Sequence, residues 1–197
     1  MILAASNPAF AQAIKGVGFG DSLMAGYQLG NGEGFPDQLQ LSLQELGYDV
    51  AIANAGVSGD TTSGGLSRLD WSVPDGTDFV ILELGANDAL RGISPEITRD
   101  NLDKMIAGLK QRDIDVVLVG MLAPPNMGDD YANDFNPIYP ELAEKHDLPL
   151  YPFFLDGVLT ISDLMLSDGI HPNSEGVKTM VESFLPLMRD YLDAKEP

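Results

Sequence analysis

Short apolar runs alternate along the chain with longer segments in which apolar residues recur at helical spacing. The runs predict five strands, the last of them weak, at residues 14–19, 48–53, 79–84, 116–121 and 148–151. The run at 79–84 is apolar on both faces apart from Glu83. Such a run is typical of a central strand in a parallel sheet that is covered on both sides.

The segments between the runs predict helices. Leu39, Leu43 and Leu46 lie at helical spacing after Pro36, and Ser94 with Pro95 resembles a helix start. We therefore expect helices at residues 34–47, 61–69, 94–109 and 174–191, the last kinked at Pro186. Residues 121–140, rich in Pro, Asn and Asp, are expected to form a long loop that runs into a helix. This alternation predicts an α/β fold, a three-layer α/β/α sandwich around a mostly parallel five-stranded sheet.

The first residues differ from the rest of the chain. Residues 1–13 are mostly small and apolar, lack Lys and Arg, and end on a small-x-small pattern at 11–13. They are either a truncated leader remnant, which would indicate a periplasmic or secreted protein, or an ordinary disordered N-terminus, which leaves a cytoplasmic location open. Residues 14–197 are predicted to form a single domain.

The amino-acid composition excludes several classes of binding partner and of chemical site. Among 197 residues, 30 acidic and 11 basic side chains give a net charge of −19, which argues against a nucleic-acid partner. No apolar run approaches the roughly 18 residues of a transmembrane helix, so we expect no stable membrane insertion. The absence of cysteine excludes disulfides, thiolate metal sites and a Cys nucleophile. The oligomeric state stays open.

Polar, turn-like clusters follow the predicted strands. They occupy residues 20–23, 54–61 and 85–88, and a late cluster occupies 168–173. Because ligands of open α/β sheets bind beyond the carboxyl ends of the strands, we expect these clusters to converge on one rim.

Ser22, Asp168 and His171 are candidates for nucleophilic catalysis. A hydroxyl nucleophile needs a general base, normally His, oriented by a carboxylate. Of the two histidines, His146 lies in a charged helix end and is expected at the surface, whereas His171 follows Asp168 by three residues. On spacing alone, a surface Asp with a capping His is the commoner arrangement, and Ser22 could simply cap a helix. Met24 breaks the Gly-x-Ser-x-Gly pattern of an ordinary α/β-hydrolase.

Gly59 and Asn87 could donate hydrogen bonds to a developing negative charge. A glycine lets its backbone N–H approach a substrate closely, and an Asn side chain supplies a second donor. Taken alone, a glycine at such a place is more commonly a turn residue, and an Asn is more commonly a turn or capping residue.

Taken in order, the clusters resemble the blocks of the SGNH hydrolases, also called the GDSL family. The blocks are 20–23 (GDSL), 54–62, 85–88 (GAND) and 168–173 (DGIHPN), and the resemblance spans residues 14–191. Within the family, 58–62 and 84–92 are most similar to the bacterial arylesterase and multifunctional thioesterase/lysophospholipase branch.

The resemblance implies a role for each matched residue. Ser22 would be the nucleophile, His171 the base and Asp168 the residue that orients it. The Ser22 and Gly59 N–H groups and the Asn87 side chain would form the oxyanion hole. Further substrate-binding positions would be Asp21, Leu90, Arg91 and Gly92, with Asp21 holding the turn rather than reacting and 90–92 forming a mobile loop beside the acyl site. The family needs no metal or organic cofactor.

We therefore expect a serine esterase that hydrolyses small-molecule carboxylic esters, with short to medium acyl chains or aryl groups, through an acyl-enzyme on Ser22. An acyl thioesterase or lysophospholipase on the same site is the alternative, and a non-catalytic ligand-binding protein is the alternative of another class.

Residues 121–140 are expected to form one wall of the acyl pocket, and Glu83 is expected to make a structural hydrogen bond. Asp21, at the third glycine position of Gly-x-Gly-x-x-Gly, argues against a dinucleotide site, and residues 129–134 lack the loop glycine and closing Glu of a calcium site.

Overall fold

The computed structural model describes residues 13–195. The five apolar runs form the strands β1 Ile14–Gly20, β2 Val50–Gly56, β3 Phe79–Glu83, β4 Asp115–Val119 and β5 Leu150–Tyr151. The helices are α1 Ser22–Ala25, α2 Phe35–Glu45, α3 Thr62–Ser72, α4 Ala86–Leu90, α5 Pro95–Gln111, α6 Asp129–Phe135, α7 Ile138–His146 and α8 Ser174–Asp193.

The strands pair in the order β2-β1-β3-β4-β5, and every pair is parallel. Helices α2 and α8 pack on each other in one layer, and α3, α5 and α7 form the other layer. This confirms the predicted α/β/α sandwich, with an all-parallel sheet in the described residues. All five residues of β3 are buried, because both layers cover the centre of the sheet.

Local sequence explains where the long helices begin and which face they bury. Pro36 stands in the first turn of α2, where its missing N–H costs nothing, and Leu39 and Leu43 face the core. The Asn173 side chain caps α8 by accepting hydrogen bonds from the Glu175 and Gly176 N–H groups, both at 3.0 Å. Helix α8 continues past Pro186 to Asp193.

Two segments differ from the sequence prediction. Strand β2 begins at Val50 rather than residue 48, because the Tyr48 N–H closes α2 by donating to the Leu43 carbonyl at 3.1 Å. Residues 121–140 are not one long loop: they hold a single-turn 3-10 helix at Pro125–Met127, then α6, then the start of α7. Asp129 and Asp130 favour the first turn of α6, and Phe135 anchors it in the core.

The interpretation of residues 1–13 as a leader remnant or disordered N-terminus lies outside the described residues, apart from Ala13. Within 13–195, no helix is long and apolar enough to cross a membrane. Over the same range, no group of three or more His, Asp or Glu side chains is placed to hold a metal ion.

Candidate active site

Strands β1 and β3 lie side by side at the centre of the sheet, and the chain leaves them in opposite directions. After β1 the chain crosses to β2 on one side, and after β3 it crosses to β4 on the other. Such a switch in direction opens a crevice beyond the strand ends, where ligands of α/β proteins bind. Ser22 follows β1 at this crevice, and Asn87 follows β3.

Ser22 begins the short helix α1, held from below by Asp21. The Asp21 side chain is fully buried and accepts a hydrogen bond from the Leu23 N–H at 3.0 Å. Its other oxygen, Oδ2, accepts from Asn87 Nδ2 at 2.9 Å. Asp21 therefore fixes both the turn that carries Ser22 and the amide of Asn87.

His171 joins Ser22 to Asp168. Its Nε2 lies 2.8 Å from Ser22 Oγ, and its Nδ1 lies 2.8 Å from Asp168 Oδ2. Since a carboxylate only accepts, Nδ1 carries the ring proton and Nε2 presents its lone pair to the hydroxyl. Asp168 also accepts the backbone N–H groups of Ile170 and His171 at 2.9 and 3.0 Å. These N–H groups, Ile170 first, and the imidazole lower the pKa of Asp168 to about 2, so it stays charged.

Three hydrogen-bond donors border the cavity in front of Ser22. The N–H groups of Ser22 and Gly59 donate to no acceptor within residues 13–195. The Asn87 amide uses one of its two protons on Asp21, and the other has no acceptor among the described residues. The arrangement can therefore accept a negatively charged oxygen.

The conformation of Gly59 depends on its lack of a side chain. It is the third residue of a turn closed by the Asp60 N–H donating to the Val57 carbonyl at 3.1 Å, and its φ of 80° is disfavoured for other residues. Arg91 Nη2 donates to the Gly59 carbonyl at 2.7 Å. Arg91 thus ties the Gly59 turn to the segment that follows Asn87.

Arg68 on α3 joins the ends of β1 and β2 beneath the site. Its buried guanidinium donates to the Gly20 carbonyl at 3.0 Å, the Ala55 carbonyl at 2.8 Å and Asp60 Oδ2 at 2.7 Å. It also lies 3.9 Å from the centre of the Phe19 ring. The residues before Ser22 and after Gly59 are thereby fixed to one rigid group.

Asp88 makes a similar connection on the other side. Its fully buried carboxylate accepts from the Thr62 N–H at 2.8 Å and from the Thr98 hydroxyl at 3.2 Å, and it also bonds the Thr62 hydroxyl. The Asn87 helix is therefore held to the start of α3 and to α5.

Two buried carboxyl groups lie directly below the nucleophile turn. Glu83 Oε2 accepts the Asp21 N–H at 3.1 Å, whereas Glu83 Oε1 has no partner within the described residues. Burial, reinforced by the nearby Asp21 charge, raises the pKa of Glu83 well above its ordinary value. Burial also raises the pKa of Asp21 to about 6, although the hydrogen bonds from the Leu23 N–H and the Asn87 amide favour its charged form and lower the pKa. We conclude that Glu83 is the neutral member of the pair at neutral pH.

A cavity of about 550 Å³ opens in front of Ser22. Besides the polar site residues, apolar side chains line it: Leu23, Tyr27, Leu90, Met121, Leu122, Pro124, Pro125, Phe153, Leu155, Leu159 and Ile170. The space can hold an apolar group of a substrate against the hydroxyl.

The structure brings most of the predicted site residues together. Asp21, Ser22, Gly59, Asn87, Leu90 and His171 all line the cavity. Arg91 and Gly92 are not among the lining residues; Arg91 instead contacts Gly59. Only the first part of the 121–140 segment forms a wall, because the Tyr131 hydroxyl donates to the Ile93 carbonyl and Phe135 is buried in the core. His146 is not a free surface residue, since its Nε2 lies 2.6 Å from Asp103 Oδ1.

Sequence reasoning missed Arg68 and the apolar wall after β5. Arg68 shares one helical face with Gly65, Leu69 and Ser72, and a cation on an otherwise small and apolar face is the signal that could have revealed it. Phe153, Leu155 and Leu159 follow a strand end, as the polar clusters do.

Comparison with known proteins identifies the family. Residues 19–178 match the model of the GDSL-like lipase/acylhydrolase family. The chain belongs to this family. One relative, the arylesterase of Vibrio mimicus, is 44% identical over 164 residues, which cover 83% of this chain and 82% of the relative. The thioesterase 1/protease 1/lysophospholipase L1 of Escherichia coli K12 is 37% identical over 157 residues, covering 79% and 74%.

A solved esterase structure has the same fold. The SGNH-hydrolase family esterase AlinE4 superimposes with a TM-score of 0.78 at 43% identity, covering 93% of this chain and 99% of AlinE4. The five-stranded sandwich described above is thus the SGNH-hydrolase fold.

The neutral state of Glu83 predicts how stability changes with pH. Because the folded protein keeps this carboxyl protonated while the unfolded chain loses the proton near pH 4.5, the stability that Glu83 contributes is present below pH 4.5 and is lost as the pH rises towards its folded pKa. Glu83→Gln cannot ionise, so its free energy of unfolding should gain on the wild type by about 1.4 kcal/mol per pH unit above that point. Urea unfolding across pH measures the difference, and parallel curves for the two proteins would contradict it.

Removal of Arg68 should destabilise the whole site. Arg68→Met leaves the Asp60 carboxylate buried without its cation and two strand-end carbonyls without a donor, so we expect a loss of about 3–5 kcal/mol in the free energy of unfolding. Arg99→Met is the matched control, because its ion pair with Glu141 is exposed and should contribute less than about 1 kcal/mol. Equal losses in the free energy of unfolding of the two variants, measured by urea unfolding, would contradict the role of Arg68 in joining the ends of β1 and β2.

Proposed function

We propose that Ser22, His171 and Asp168 form the catalytic triad of a serine esterase, and that Ser22 N–H, Gly59 N–H and Asn87 Nδ2 form its oxyanion hole. The chain is a carboxylic ester hydrolase of the GDSL family. The observation that carries the assignment of roles is the pair of 2.8 Å contacts that place one imidazole between a hydroxyl and a carboxylate at the mouth of the cavity.

The geometry performs the reaction in two halves. Ser22 Oγ attacks the carbonyl carbon of the ester while its proton passes to His171 Nε2. The negative oxygen of the tetrahedral intermediate accepts hydrogen bonds from the three donors, and removal of one such donor typically costs about 10²–10³ in kcat. Collapse expels the alcohol, which takes the proton from His171. Water then gives a proton to His171 and attacks the acyl carbon. Collapse of this second intermediate releases the acid, and His171 returns the proton to Ser22 Oγ.

The contacts of His171 also determine the charge of Asp168 and the pH dependence of the rate. The Asp168 carboxylate, with its pKa lowered to about 2, stays charged and stabilises the imidazolium formed in each half. A protonated imidazole cannot accept the Ser22 proton, so the rate should fall on the acid side.

The cavity supports esters with an apolar acyl or aryl part. Its wall is formed largely by Leu, Met, Pro and Phe side chains, and its volume suits short to medium acyl chains. We infer that a thioester of the same acyl group reacts at the same Ser22, since the multifunctional Escherichia coli relative is named as a thioesterase and a lysophospholipase.

An acyl-enzyme on Ser22 that forms faster than it is hydrolysed predicts a burst. On mixing with excess p-nitrophenyl butyrate, the wild type should release close to one p-nitrophenol per molecule before the steady rate. Ser22→Ala should lower kcat by at least about 10⁴-fold, because the remaining donors cannot replace the nucleophile. Ser58→Ala, a cavity serine without a partner in the triad, is the matched control and should keep the burst. Binding of the ester without turnover would instead favour a non-catalytic ligand-binding protein.

The contact between Arg91 and Gly59 predicts an effect on chain length. Arg91→Ala frees the segment that carries the wall residue Leu90, so the ratio of kcat/KM for p-nitrophenyl octanoate to that for the acetate should rise, by about threefold or more. Arg99→Ala, which removes an exposed cation elsewhere, is the control. An unchanged ratio in Arg91→Ala would remove Arg91 from the substrate-binding positions.

A further inference from the structure

The ring of Tyr27 lies against the imidazole of His171. The ring centres are 4.5 Å apart and the planes are tilted by 39°. Tyr27 is 37% exposed and lines the cavity, and its hydroxyl makes no hydrogen bond within residues 13–195. The contact is therefore made by the aromatic ring itself.

The other contacts of His171 are largely local. Its N–H and Nδ1 bond to Asp168, and its carbonyl accepts the Leu166 N–H at 2.7 Å. These contacts orient the imidazole within its own loop, after the end of the sheet. The Ser22 hydrogen bond and the Tyr27 ring connect it to the nucleophile side of the site.

Tyr27 is rigidly attached to that side. Its N–H donates to the Ser22 carbonyl at 3.1 Å. It stands between Gly26, whose φ is 76°, and Gln28, whose φ is 60°. Both neighbours of Tyr27 therefore have the left-handed backbone conformation. A side chain at Gly26 would meet Gly34 Cα at 2.9 Å. A left-handed non-glycine residue such as Gln28 persists only where the surrounding structure enforces it.

The two links to the nucleophile side do not survive the reaction equally. Once Ser22 Oγ is acylated it has no proton to donate, so its hydrogen bond to Nε2 is lost. His171 must nevertheless stay in place to take a proton from the attacking water. The Tyr27 ring contact does not involve Ser22 Oγ and remains available throughout.

We propose that Tyr27 is a positioning residue that holds the His171 imidazole in place while the acyl-enzyme is hydrolysed. The proposal rests on the catalytic roles given above. The charged groups that act on the His171 imidazole are Asp168, which bonds Nδ1, and Asp21 below Ser22.

Pre-steady-state kinetics distinguish this role from that of a cavity wall. In Tyr27→Leu we expect the steady rate after the burst to fall about three- to tenfold, with the burst rate and kcat/KM within about twofold of the wild type. Tyr27→Phe keeps the ring and should behave like the wild type in both phases. Leu159→Ala, which removes an apolar side chain from the same cavity, should change KM without slowing deacylation selectively. Thermal unfolding checks the fold of each variant, and Tyr27→Met replaces Tyr27→Leu if the latter does not fold.

A spectroscopic measurement tests the contact independently of turnover. The chain has two histidines, so the ring protons of His171 can be assigned by proton NMR with His146→Gln as reference. Tyr27→Leu should shift the His171 ring resonances because the neighbouring ring current is lost, and Tyr27→Phe should not.

Equal slowing of both phases in Tyr27→Leu, equal behaviour of the Phe and Leu variants, or unshifted His171 resonances would overturn the proposal. Turnover that Ser22→Ala leaves unchanged would contradict the catalytic roles themselves. A normal wild-type burst with unchanged deacylation in Tyr27→Leu would contradict only the role of Tyr27.

Discussion

The hydrogen bond between Ser22 Oγ and His171 Nε2 joins parts of the chain that are 149 residues apart. Neither residue lies in a long regular element: Ser22 begins a four-residue helix after β1, and His171 lies in the loop before α8. A bond of 2.8 Å between two such positions requires the sheet to present both loops at the same edge. The parallel arrangement of all five strands does this, because every carboxyl end points the same way.

Buried polar groups beneath this edge convert a crevice into a site of fixed geometry. Arg68 holds the ends of β1 and β2, and Asp88 holds the Asn87 helix to α3 and α5. Asp21 fixes Ser22 and Asn87 together. Burying such groups costs stability. One sign of that cost is that burial beside Asp21 favours the neutral form of Glu83. The gain is that three donors and one nucleophile keep their positions before substrate arrives.

Much of this arrangement is predictable from sequence, and the remainder depends on contacts that no local pattern encodes. The apolar run of β3 predicts a central strand, and the polar clusters after the strands predict the convergence of Ser22, Gly59, Asn87 and His171. The start of β2 was displaced because Tyr48 is used to close α2. Helix α6 was missed because its acidic residues resemble a loop until Phe135 packs in the core. Arg68 and Tyr27 were missed because their partners lie on other elements, so spacing along the chain does not reveal them.

The central claim is that Ser22 becomes covalently acylated, and mass spectrometry of the acid-quenched enzyme tests it most directly. After brief mixing with p-nitrophenyl butyrate, the wild type should carry one butyryl group, and digestion should place it on the peptide that contains Ser22. The chain has no cysteine that could take up the acyl group instead. A butyryl group on a different residue, or continued turnover with Ser22 unmodified while Ser22→Ala remains active, would contradict the account.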